Sequence, residues 1–214
     1  MANYHNENLV MARCPHCSVA KPLLKLANEI QTVDHTKRKP RLWGVWVCST
    51  CGGVVTGYML FSSDQERAQK RIVETFPPAR TVDEDLPQRA KDYLAQAIES
   101  IHSPSGAVML AASAVDAMLK AKQLKDGSLY SRIKKAAEDG TITRDMETWA
   151  HEVRLDANDE RHADENADLP TEEDAKRCID FAQALGTFMF VLPARVQRGL
   201  SEATTTPGTG GTSV

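Results

Sequence analysis

Along this 214-residue chain the apolar positions keep two different rhythms. Before residue 62 they gather in short β-branched and aromatic runs, chiefly Leu42-Trp-Gly-Val-Trp-Val47 and Val54-Val-Thr-Gly-Tyr-Met-Leu-Phe61. Such runs favour extended backbone and predict a hairpin. From Gln88 the apolar positions recur at helical spacing. Tyr93, Leu94, Ala97, Ile98 and Ile101 share one side of a predicted helix over 88–101. Ser103-Pro104 offers an N-cap and a first-turn proline for the next helix. Its body, Ala107 to Leu119, is apolar almost all round and belongs at the centre of a bundle. A carboxylate at Asp116 in that setting wants a cationic partner, for which Arg154 is a candidate.

A third helix is predicted over Leu129 to Glu138, ending at Asp139-Gly140. A fourth begins near Thr143 and carries the apolar stripe Met146, Ala150, Val153, Ala157. The fifth follows Thr171, which can cap it, with Glu172 and Glu173 at the positive end of its dipole. It should stop before Pro193. Thr75 to Pro87 is rich in proline and acid and predicts an extended linker. Pro22 to Ile30 fits a short helix or a strand pair.

Charge changes the picture little. The formal balance of −3 gives no general attraction for nucleic acid, so a polyanion must be met by a local patch. No apolar run approaches the roughly 20 residues that span a bilayer, and the first residues lack a secretory pattern. A cytoplasmic protein with no membrane partner is expected.

The cysteines change it more. Cys14-Pro-His-Cys17 and Cys48-Ser-Thr-Cys51-Gly-Gly are two Cys-x-x-Cys turns separated by residues 18–47. Each can aim two thiolates at one ion, and together they supply a tetrahedral zinc site. Four sulfurs close the shell, so the zinc is expected to be structural, with His16 exposed in its turn. Cys178 sits in an apolar helical stretch and is expected to be a buried thiol. The amino-terminal part thus looks like a zinc ribbon. His35-Thr-Lys-Arg-Lys-Pro-Arg41 is a basic loop beside Trp43 and Trp46. There Lys37, Arg38, Lys39 and Arg41 are candidates for nucleic-acid contact, or simply a solvated loop.

The predicted organisation is a zinc-ribbon module over 1–70 with an inserted loop, a linker over 71–87, a helical bundle over 88–198 and a disordered tail over 199–214. The fold class expected is mainly α: a four- to five-helix bundle behind a small β ribbon.

On the fourth predicted helix, Arg154, Asn158 and His162 fall within a sector of about 80°, with His151 in the same sector. A guanidinium, a carboxamide and imidazoles thus share one ridge. Pro77, Leu86-Pro87, Asp116, Arg154-x-x-Ala-Asn158-x-x-x-His162 and Thr171-x-x-Asp-Ala175 resemble the HEPN-like family catalogued as domain of unknown function 4145. The resemblance spans about residues 75–195. It implies a HEPN-like bundle that forms a homodimer, a place in a prokaryotic defence or toxin-type system, and metal-independent endoribonuclease chemistry on RNA. His162 would be the acid/base, Arg154 the phosphate clamp and Asn158 the orienting amide. The chain departs from the active motif: Ala157 stands where arginine is usual, Arg154 and His162 are further apart, and carboxylates crowd the ridge. The competing expectation is a non-catalytic dimeric adaptor that docks nucleic acid or another subunit of a defence complex through its zinc ribbon.

Overall fold

The hairpin foreseen around the second cysteine turn is the middle of a larger sheet. The computed structural model describes residues 6–60, 71–162 and 168–205, with side chains for 6–60, 71–153 and 168–203. Two compact units result, Met1–Arg80 and Thr81–Val214.

In the first unit, β1 (Asn8–Leu9), β2 (Leu24–Thr32), β3 (Arg41–Cys48), β4 (Val54–Leu60) and β5 (Glu74–Phe76) pair antiparallel in that order. Side chains alternate between faces. On one face Leu24, Trp46, Cys48 and Val55 are buried with Leu9, Met11, Cys14 and Ile72. Gly44 and Gly57 face each other across β3 and β4. A Cβ on Gly44 would lie 2.1 Å from the Trp46 ring, so the missing side chain is what lets the indole lie flat on the sheet. The Trp46 N–H donates to the Asn6 carbonyl at 3.0 Å.

This corrects the expected fold class. The protein is α/β, 47% helix and 18% strand, with a curled five-stranded half-barrel in place of a small ribbon on a mainly α chain. The extra strands left little side-chain signal. Apart from Leu24 and Leu26, β2 is exposed along its length, so the ladder to β3 and not an apolar pattern holds it extended. β5 lies inside the stretch expected to be linker. It is a three-residue edge strand, where the prolines that follow cost no interior hydrogen bonds.

The second unit contains α1 (Gln88–Glu99), α2 (Pro104–Ala121), α3 (Leu129–Glu138), α4 (Arg144–His162) and α5 (Glu172–Gly186), then α6 (Leu192–Thr205). α2 is central and touches α1, α3, α4 and α5. Val108, Ala111, Val115, Met118 and Leu119 fill its sides, and Leu94, Ile133, Val153, Ile179, Phe181 and Leu185 pack around them. Each large side chain so buried contributes about 1.5–3 kcal/mol. Pro104 starts α2 as foreseen, but the Ser103 side chain makes no capping bond. Thr171 does cap α5, in a reciprocal box with Asp174.

The helix does not stop before Pro193. α5 runs through a π-helical turn, Thr187–Val191, into α6, so residues 199–205 are helix and not tail. A π turn takes a carbonyl out of the ordinary ladder, and a proline just beyond it lacks the donor that would have needed one. The rod Glu172–Ala203 is long and apolar enough, by length and composition alone, to cross a membrane. Its Ile179, Phe181, Ala182 and Leu185 are buried in the core. Arg198 of α6 forks onto Asp85, ahead of α1, with two bonds of 2.8 Å. That guanidinium holds the Asp85 carboxyl below the usual range.

Candidate metal centre and nucleic-acid face

The two cysteine turns are one motif used twice. Ser18 N–H donates to the Cys14 carbonyl at 2.9 Å, and Gly52 N–H to the Cys48 carbonyl at 2.8 Å. Cys14 N–H donates to Val19 O, and Cys48 N–H to Gly53 O. The residue after each second cysteine is left-handed, Ser18 at φ 56° and Gly52 at φ 73°. Glycine takes that conformation freely. Ser18 is held in it by burial and by Arg13, whose Nη1 donates to the Ser18 carbonyl at 2.9 Å.

These turns bring Cys14, Cys17, Cys48 and Cys51 together, all four sulfurs within 4.8 Å of one another. Cys14 and Cys51 are 3.9 Å apart, too far for a disulfide. A tetrahedral ion bound by thiolates at about 2.3 Å holds its sulfurs about 3.8 Å apart, so the cage fits such an ion. The backbone favours thiolates too. Cys14 is approached by the N–H groups of Cys17 and His16, Cys48 by those of Cys51 and Thr50, Cys17 by that of Val19 and Cys51 by that of Gly53. Burial raises the Cys14 thiol and pushes Cys17 up to about 12. At Cys48 burial acts the same way, but its amide donors and neighbouring thiols outweigh it and hold the group at about 7. A cation held by these four cysteines would supply the charge that ionises the rest. His16 is exposed and outside the cage, its Nε2 2.8 Å from the Val54 carbonyl oxygen.

The basic loop is ordered by Asp34, which accepts from Arg38 N–H at 2.9 Å and from the Thr36 hydroxyl. The Arg38 amide, first among several donors, lowers the Asp34 carboxyl below its usual range. The turn, with Lys37 at φ 58°, leaves Lys37, Arg38 and Lys39 exposed. Arg41 opens β3 and places its guanidinium 4.9 Å from the centre of the Tyr58 ring. Trp46 does not belong to this surface, being fully buried on the other face. In its place the sheet brings up Tyr58, 4.8 Å from Trp43, and Phe76, 6.2 Å from Trp43. Two-residue alternation through Arg41, Trp43 and Tyr58 could have revealed the first part of this face. Phe76 was hidden by its place among prolines.

Arg154, Asn158 and His162 all fall on α4, and their side chains lie outside the described residues. His151 is described: its ring stacks on Tyr130 at 4.7 Å. Asp116 is held by Arg132 of α3, through Nε at 2.8 Å and Nη2 at 2.6 Å, and by Lys120 at 2.6 Å. Among the described residues Asp116 thus takes its guanidinium from Arg132, while the side chain of Arg154, the expected partner, lies outside them. This cluster lines a cleft of about 780 Å³ between α1, α2 and the start of α3.

A family model described as domain of unknown function DUF4145 matches residues 95–203, just over half of the chain. The chain belongs to the DUF4145 family. The match lies entirely within the helical unit, so the sheet unit of this DUF4145 protein stands outside it. No curated protein and no solved structure matches the chain. The two units differ sharply in charge. Residues 1–80 hold eleven Lys and Arg against six Asp and Glu, a formal +5; residues 81–214 hold fifteen against twenty-three, a formal −8.

Proposed function

We propose that this DUF4145 protein is a non-catalytic nucleic-acid-binding adaptor. In this reading the cysteine cage holds a structural Zn2+ that braces the sheet unit. Lys37, Arg38, Lys39 and Arg41 meet the phosphate backbone, and the acidic helical unit is left for a protein partner. The segregation of charge, +5 against −8 with three exposed cations on one ordered loop, carries the proposal. A polyanion is drawn to the first unit and repelled by the second. The same field weighs against RNA cleavage on α4.

Equilibrium binding of fluorescent RNA and DNA oligonucleotides, followed by anisotropy across a salt series, tests it. Binding should weaken steeply with salt. The double variant Lys37→Glu, Arg38→Glu should bind more weakly, with a log–log salt slope smaller by about 2, roughly one per lost phosphate contact. His162→Ala should bind as wild type. Unchanged affinity in the double variant would overturn the proposal. So would RNA cleavage in chelator that His162→Ala abolishes, which would favour the ribonuclease reading.

A further inference from the structure

We infer that the open face of the sheet is a stacking platform for unpaired bases, so that the nucleic acid it takes is single-stranded. This rests on the nucleic-acid reading above and narrows it. Trp43 and Tyr58 are directly opposite each other on β3 and β4, and Phe76 of β5 is diagonal to Trp43 on the same face. The core does not need these rings, because the other face is already packed around Trp46. Phe76 keeps 41% of its surface exposed, and Trp43 and Tyr58 are half-buried. The Trp43 N–H is satisfied within the sheet by the Thr32 hydroxyl at 3.0 Å, which fixes the indole and leaves its polar edge no other task.

Beside the rings stands the cationic loop. Arg41 lies over the Tyr58 ring, and Lys37, Arg38 and Lys39 continue from it. Guanidinium over an aromatic face, next to free ring surface, suits a base and its own phosphate taken together. A duplex has its base faces covered by neighbouring pairs and offers such a surface only its backbone. Unpaired bases can lie on the rings while the phosphates follow the loop.

The test compares a twelve-nucleotide single strand with the blunt duplex of the same sequence, using the full chain loaded with zinc. The single strand is expected to bind at least tenfold tighter. Phe76→Ala should weaken single-strand binding about five- to a hundredfold and leave duplex binding unchanged. Tryptophan emission should fall on adding single strand, and Trp43→Phe should remove that quench while keeping most of the affinity. The edge-strand change at Phe76 keeps the test sound if substitutions at Trp43 disturb folding. Equal binding of both forms, with Phe76→Ala altering neither, would sink the platform and leave the nucleic-acid reading standing. Failure of both forms to bind would sink both.

Discussion

The imidazole of His16 lies against Gly53 and reaches the carbonyl of Val54, so the first cysteine turn is tied to the second from outside the cage. A Cβ on Gly53 would sit 2.5 Å from the His16 ring. Gly53→Ala should therefore push the ring away and loosen the register of the two turns. The expected result is faster loss of zinc to a chromogenic chelator, with little change in the far-ultraviolet spectrum. Release at the wild-type rate would show that the tie does not steady the cage.

Two glycines of the same sheet unit should respond differently to alanine. Gly52 has a left-handed φ and open space around it, so Gly52→Ala costs only the backbone, about 1–2 kcal/mol. Gly44 has no such φ, but its new methyl would enter the Trp46 ring at 2.1 Å. Overpacking there should cost more, about 3 kcal/mol or above. Urea unfolding of the two variants, both zinc-loaded, checks the order. A smaller loss for Gly44→Ala would mean that Trp46 moves easily.

Arg132 is buried and serves Asp116 and the carbonyls of Lys125 and Gly127 at once. Arg132→Met leaves a half-buried carboxylate and two carbonyls short of donors, and should cost about 3–5 kcal/mol. Lys120 binds the same carboxylate from an exposed position, so Lys120→Met should cost less than about 1 kcal/mol. Thermal unfolding separates them, and equal shifts would contradict the picture.

Acid should release the start of α5. The Asp174 carboxyl is lowered, first by the Thr171 hydroxyl and then by its backbone N–H. A depressed carboxylate stabilises the fold above its ordinary range, near pH 4, and stops doing so as pH falls through the lowered value. Asp174→Asn should therefore be less stable than wild type by about 1 kcal/mol at pH 7. The gap should close below pH 4. Denaturant unfolding at pH 7, 5 and 3 measures it, and a gap that persists at pH 3 would rule out this origin.

What could be seen in the residues beforehand was whatever side chains enforce locally. The bounds of α3, the Thr171 cap and the β3–β4 hairpin follow from caps and apolar spacing alone. Backbone pairing was invisible: β2 and β5 have few inward apolar residues and exist because β3 and β4 offer them free ladder edges. The four cysteines declared themselves by spacing, since two Cys-x-x-Cys turns can converge however the chain between them runs. The aromatic face did not, because Trp43 and Phe76 lie 33 positions apart and only the order of strands makes them neighbours. The prolines misled at both ends, since one lies at a sheet edge and the other follows a π turn.

The fork between Asp85 and Arg198 joins points 113 residues apart. Entry to the helical unit and its final helix are thereby buckled together, and the intervening chain forms a closed circuit. A cut in an exposed turn such as Asp126-Gly127 would open that circuit, yet the fork would still hold its two ends together. Trimming the chain ahead of Arg195 would instead unfasten it.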